Sequence, residues 1–166
     1  MDFFIYILHK IKIFPLYVCV TNKIIMKTEQ KKLDYFNYVF DTNYTTFDDV
    51  DWYHYSKYHQ LSETFIREFV DDVDWDLISE FQALSEDFIR EYKDKVNWVQ
   101  ISINQKLSEN FIREFKDKVD WEEISFKQKL SENFIREFKD DVDWFWIPIT
   151  QILSEDFKIE FQDRIK

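Results

Sequence analysis

Five tryptophans, at positions 52, 75, 98, 121 and 144, stand 23 residues apart, and five leucines, at 61, 84, 107, 130 and 153, keep the same interval. A fixed period of this length marks a repeat array, in which one small unit recurs and cannot bury its apolar face alone. The shared unit reads L-S-E-x-F-I-R-E-F-x-D-x-V-D-W-x-x-I-S-x-x-Q-x, and LSENFIREFKD occurs letter for letter at 107–117 and 130–140. The period sets full units at 61–83, 84–106, 107–129 and 130–152, a terminal half unit at 153–166 and a degenerate first unit at 33–60. Residues 1–32 form a separate apolar and basic segment.

Each unit carries two helix starts. Ser62, Ser85, Ser108, Ser131 and Ser154 sit at N-cap positions with Glu in the following turn. Leu before the cap and Ile at the fourth helical position, as in Leu107 and Ile112, have the spacing of a hydrophobic staple. Phe111, Ile112, Phe115 and Val119 then follow a period of about 3.6 and form one buried stripe. The second start is the Asp-Trp step, with Asp74, Asp120 and Asp143 as caps and Asn97 in their place once. Glu123, three residues after Asp120, has the spacing of a capping box. Trp121, Ile124 and Gln128 line one face of this second, shorter helix.

Two stapled starts per unit predict an all-α solenoid of stacked helix-turn-helix repeats of 23 residues. A leucine-rich-repeat-like strand at Val-Asp-Trp is the competing reading, and it lacks the L-x-x-L-x-L pattern. The expected core comprises Trp75, Trp98, Trp121 and Trp144 with Phe88, Phe111 and Phe134.

On the outer side of the first helix, Glu109, Arg113 and Asp117 are spaced i, i+4, i+8, and the triplet recurs in the other units. This spacing predicts a solvated stripe neutralised by its own carboxylates rather than an anion-binding ladder. Gln82, Gln105, Gln128 and Gln151 recur at one position near the apolar face. Either they hydrogen-bond between neighbouring units or they are partly exposed amides at a helix end.

What varies between copies bears on function. Three positions of the second helix change identity: Tyr53, His54 and Lys57; Asp76, Leu77 and Glu80; Val99, Gln100 and Ile103; Glu122, Glu123 and Phe126; Phe145, Trp146 and Ile149. They share one helix face, so they form either a partner-reading surface on a constant scaffold or an unconstrained solvent face. Exposure of Val99, Ile103, Phe126 and Trp146 would favour the first.

Composition removes several chemistries. Glycine is absent, where average usage gives about 12. Phosphate-cradling loops, dinucleotide fingerprints and nucleophile elbows need glycine and are excluded. Cys19 is the single cysteine, which excludes an intrachain disulfide and a cysteine-based zinc site and points to a reducing compartment. His54 and His59, five apart, are poorly spaced for a shared helical face and read as surface residues. The carboxylates sit at repeat positions, whereas catalysis needs one unique constellation. No catalytic residue, metal ligand or cofactor is expected. The net charge is −11, with +4 in residues 1–32 and −15 in the remainder. An acidic body disfavours nucleic acid, whose phosphates are bound through Lys and Arg.

Residues 3–20 read FFIYILHKIKIFPLYVCV, an apolar run broken by His9, Lys10, Lys12 and Pro15. Central lysines disfavour a membrane span. Three readings remain for this segment: a membrane-associating anchor, a piece docked on the repeats, or an extension upstream of a start at Met26. At the other end Lys158 and Ile159 invert the Ile-Arg pair and Pro148 replaces the Ser of the Ile-Ser step. Trp146 and Ile149 add apolar bulk, so this unit suits an end of the array facing water or docking a partner. Leu33–Val50 reads as a decayed unit, with Phe47 and Val50 near template positions.

The phrase LSENFIREFKDKVDWEEIS resembles the short tandem repeats of uncharacterised proteins of mimivirus-like giant DNA viruses of amoebae, over about residues 48–166. The richness in Phe, Ile, Lys, Asn and Tyr fits the AT-rich genome expected of such a source. The resemblance implies an origin and a repeat architecture, not a reaction. The expectation is an uncharacterised, non-enzymatic interaction module binding a protein in host cytoplasm. The alternative is a structural or membrane-tethered component attached through residues 3–20.

Overall fold

A computed structural model describes residues 28–165. The chain divides at Asp51 and Trp52 into two compact units. In the first, helix α1 runs from residue 28 to residue 40 and a 3-10 turn spans Phe47–Asp49. Asp41 ends α1 with φ 52, the left-handed conformation usually given to glycine. Asn37 ties the turn that follows: its amide donates to Tyr44 O at 2.9 Å and accepts from Tyr44 N at 3.0 Å and Thr42 Oγ1 at 2.8 Å. Leu33, Phe36 and Val50 are buried. Residues 41–46 form a turn where the template has its first helix. Residues 3–20, with their anchor and docking readings, and the expected start at Met26 lie outside the described residues.

The second unit is the array. Its helices are α2 (Trp52–Tyr58), α3 (Glu63–Glu68), α4 (Trp75–Phe81), α5 (Glu86–Glu91), α6 (Trp98–Asn104), α7 (Glu109–Glu114), α8 (Trp121–Lys127), α9 (Glu132–Glu137), α10 (Ile147–Thr150) and α11 (Glu155–Glu160). No strand occurs among the described residues. The expected all-α repeat array is therefore what forms, and the strand-bearing alternative is not. The tryptophan-started helices α2, α4, α6 and α8 stack in series, followed by α10.

Local capping sets the boundaries. Ser62, Ser85, Ser108, Ser131 and Ser154 each accept from the N–H three residues on, at 3.2 Å. Asp74, Asn97 and Asp120 cap α4, α6 and α8. The capping box at Asp120 is only half made. Glu123 N donates to Asp120, but the N–H of Asp120 goes to Ser102 Oγ of the preceding unit at 3.0 Å. A neighbour has taken the group that Glu123 was expected to reach.

This substitution of neighbour for self is general. Ser79, Ser102 and Ser125 are fully buried and donate to the carbonyl four residues back at 2.7–2.8 Å. The same hydroxyls accept from Asn97 N, Asp120 N and Asp143 N of the next unit. Glu63, Glu86, Glu109 and Glu132 accept from the N–H of Ser85, Ser108, Ser131 and Ser154, at 2.6–2.7 Å. The helices α5, α7, α9 and α11 are thus each capped by their own serine and by a glutamate one unit away.

The glutamines settle into the first of their two readings. Gln105 is buried, donates to Ser79 O at 3.2 Å and Gln82 O at 2.8 Å, and accepts from Leu84 N at 3.0 Å. Gln82, Gln128 and Gln151 repeat the pattern. The orphan carbonyls at each helix end are met by a side chain of the next unit, so these helices end without a left-handed residue.

Both helices of the units contribute fully buried residues to the core: Phe88, Phe111, Phe134 and Phe157, Ile89, Ile112 and Ile135, and Ile78, Ile101, Ile124 and Ile147. The tryptophans differ from expectation. Trp75, Trp98, Trp121 and Trp144 are partly buried and pack against that core as joints. Trp98 donates Nε1–H to Lys93 O at 2.9 Å within its own unit, while its ring meets Phe111 and Phe115 of the next at 6.2 and 4.9 Å.

Candidate functional site: the face of the tryptophan-started helices

The charged flank has a structural assignment. Arg67, Arg90, Arg113 and Arg136 each donate Nε–H to a glutamate of the next unit (Glu91, Glu114, Glu137, Glu160) at 2.8–2.9 Å. Each guanidinium also lies over the next phenylalanine, 4.8–5.0 Å from the ring centre. The expected self-neutralised triplet is corrected accordingly. Arg113 pairs with Glu109 and Glu137, and Asp117 is not its partner. The triplet aspartates serve a second ladder instead: Asp71 to Lys95, Asp94 to Lys118 and Asp140 to Arg164. Asp117 faces the register of Asp141, an acid where its neighbours have a base. The glutamate partners hold the side chains of Arg67, Arg90 and Arg136 above their ordinary pKa, and the Lys118 ammonium holds Asp94 below its own.

With the recurring letters spent on joints between units, the variable ones remain. Tyr53, Asp76, Val99, Glu122 and Phe145, directly after each tryptophan, are all exposed. At the next position His54 is exposed, while Leu77, Gln100, Glu123 and Trp146 are half-buried. At the third, Glu80, Phe126 and Ile149 are exposed, and Lys57 and Ile103 are half-buried. Of the four residues named as diagnostic, Val99 (46 %) and Phe126 (37 %) are exposed, and Ile103 and Trp146 are half-buried.

The face is chemically segmented. At one end Lys57 Nζ donates to Tyr53 Oη at 3.1 Å and lies 5.3–5.6 Å from the rings of Tyr53, Tyr58 and Phe81. The Tyr53 hydroxyl raises the Lys57 pKa. Asp76 and Glu80 make an acidic step, where Asn97 Nδ2 donates to Asp76 at 2.8 Å. Toward the other end Phe126 meets the Trp146 ring at 4.3 Å, and Phe145 meets it edge-on at 4.9 Å. Phe145 (65 %) and Ile149 (63 %) are largely exposed. In that last unit α10 is short. Pro148 has no N–H for the first turn, and Trp144 lies in a turn whose N-terminal N–H at Phe145 is capped by Asp143 at 2.8 Å.

Residues beyond the three chosen positions also belong to this face. Phe81 and Lys127 occupy one further variable position, and Lys106, Lys129 and Ile152 another. Their variation between copies is the same signal that marked the others. The loops after α6 and α8 line a surface groove of about 510 Å³, bounded by Ile103, Lys106, Leu107, Lys127 and Lys129. The imidazoles of His54 and His59, expected apart, come to 5.2 Å between ring centres, with His59 stacked on Tyr55. The helix ends after Tyr58, and the turn at His59 brings its ring back. Among the described residues no group of three His, Cys, Asp or Glu is placed to hold a metal, and no helix is long and apolar enough to cross a membrane.

The fold and this face define a helical-repeat protein of the kind that scaffolds or interaction modules use. Comparison with protein-family models, with curated proteins and with solved structures finds no match.

Proposed function

We propose that the chain is a non-enzymatic protein-binding scaffold that reads its partner along the face of α2, α4, α6, α8 and α10. One observation carries this reading. The letters that recur are consumed in joints between units, while the exposed letters directly after each tryptophan differ in every copy: Tyr53, Asp76, Val99, Glu122 and Phe145. Exposed aromatic and aliphatic side chains on that face support a binding role. The resemblance of the repeats adds a setting, the cytoplasm of an infected amoeba, with a host or viral protein as partner.

The test is affinity capture from such cells with the parent chain and with Phe126→Ser plus Trp146→Ser, followed by titration of each purified candidate. A partner lost with the variant, whose circular dichroism matches the parent, supports the reading. Undiminished binding of every candidate by that variant and by a matching Tyr53→Ser, Val99→Ser variant refutes it. Attachment through residues 3–20 is separated by fractionation, since the full chain would then sediment with membranes and a form starting at Met26 would not.

A further inference from the structure

We propose that the C-terminal part of this face is a docking site for an acidic peptide segment with an apolar anchor, which deepens the protein-binding reading above and rests on it. The site is a continuous run of contacts. Trp146 packs on Phe126 at 4.3 Å between ring centres, and Lys127 Nζ lies 4.2 Å from the Phe126 ring centre. Lys127 in turn lines the groove of about 510 Å³ shared with Lys106 and Lys129. An aromatic shelf therefore opens into a trough that carries three lysines.

Those lysines are uncommitted. Among the described residues none of the three forms an ion pair, whereas Lys95, Lys118 and Lys158 all do. Lysines at a helix end usually serve its free carbonyls. Here that work is done by glutamine: Gln128 takes Ser102 O and Gln105 O, and Gln151 takes Gln128 O. Glu123 stands four residues before Lys127 in the same helix, the spacing at which Glu109 pairs with Arg113. Yet no ion pair joins the two, and the Lys127 ammonium lies over the Phe126 ring instead. The ring of Phe126 holds one ammonium in place, which lowers the ordering cost of meeting an acid.

Charge and shape select the occupant. The chain as a whole is at −11, so a broad anionic surface such as a bilayer is repelled over most of its contact area within a Debye length. A narrow peptide enters the trough and meets only the lysines. Its carboxylates pair with Lys106, Lys127 and Lys129, and an aromatic or aliphatic side chain covers Phe126 and Trp146.

The experiment uses the full chain and a fluorescein-labelled acidic peptide with a Leu-Phe pair at its centre, read by polarisation. The same peptide with lysine for every acid, the same peptide with serine for the Leu-Phe pair, and phosphatidylserine vesicles are run beside it. Expected are saturable binding of the acidic peptide, about tenfold or greater weakening by Lys127→Glu with Lys129→Glu, and a smaller loss with Phe126→Ser. That last loss should vanish for the serine-substituted peptide. No saturation, equal binding of the basic peptide, unaltered binding by the charge-reversed variant with parental circular dichroism, or preference for vesicles overturns the proposal. If the peptide fails while a captured partner is still lost on face substitution, only this assignment falls. If neither responds, the protein-binding reading falls with it.

Discussion

Replacing Gln105 by leucine tests the joint between units more sharply than any change in the apolar core. The side chain is 6 % exposed and satisfies three backbone groups, Ser79 O and Gln82 O of the preceding unit and Leu84 N at the start of its own. Leucine is close in volume, so little cavity forms and the loss is one of hydrogen bonding. Each buried group left unsatisfied costs about 1–3 kcal/mol. Three such groups, with some water reaching the loop, put Gln105→Leu at about 3–6 kcal/mol. Gln151→Leu is the internal control. That residue is half-buried, its bond to Ser125 O is 3.4 Å, and Thr150 Oγ1 already donates to the same carbonyl at 2.8 Å. Its loss should cost about 1–3 kcal/mol. Gln105→Glu adds a sign test. It keeps the acceptor for Leu84 N but places a carboxylate against two carbonyls, and burial raises the pKa of such a group. An acid whose folded pKa is raised gains stability as pH falls from that value toward the unfolded one of about 4.3. Urea melts followed by tryptophan fluorescence at pH 7.5 and pH 5 read both effects. Gln105→Leu within about 1 kcal/mol of the parent, less than the cost of one orphaned group, refutes the argument. So does a Gln105→Glu variant that weakens on acidification as the parent does.

Three further outcomes are expected. Phe111→Ala, at a fully buried ring, should cost about 3–5 kcal/mol and exceed Trp98→Ala, since Trp98 is only partly buried; thermal denaturation orders the two. Asp141→Lys should raise the melting temperature by the equivalent of about 0.2–1 kcal/mol. It supplies the missing base opposite Asp117, as Lys95 and Lys118 do opposite Asp71 and Asp94, and a neutral or lower melting temperature would contradict the ladder. Acid should destabilise the array. The N–H of Ser154 and then Arg136 hold the Glu132 carboxyl below its ordinary value of 4.5, and Lys118 holds Asp94 below 3.8. Both folded pKa values are depressed, so their contribution is present above the ordinary values and lost as pH falls through the lowered ones. Thermal melts from pH 6 to pH 3 should show that decline, and Glu132→Gln should shallow it.

Much of the architecture was legible because its causes are local. A serine N-cap before an apolar stripe, or an Asp-Trp step before an Ile, acts within one turn. Periodicity then repeats the result, so α3, α5, α7 and α9 with α4, α6 and α8 follow from pattern alone. The same locality made the readings of Glu123 and Asp117 go astray. Each was given a partner within its own unit, the N–H of Asp120 or the guanidinium of Arg113, that the structure bonds to an adjacent unit. Lys127 and Lys129 varied as visibly as Phe126, but only the folded structure joins them to it in one run, Lys127 over its ring and both lysines along the groove.

The sequence alone determines the unit length, the two helices per unit and the identity of the buried stripe, because these rest on caps and on a 3.6-residue period. Tertiary structure decides what the polar invariants are for. Ser102, Gln105, Glu109 and Arg113 carry no local signal of their targets, which lie 18 to 26 residues away on the adjacent unit. Only stacking brings those groups within reach, and only then is it clear which side chains are consumed in the array and which remain free to meet something else.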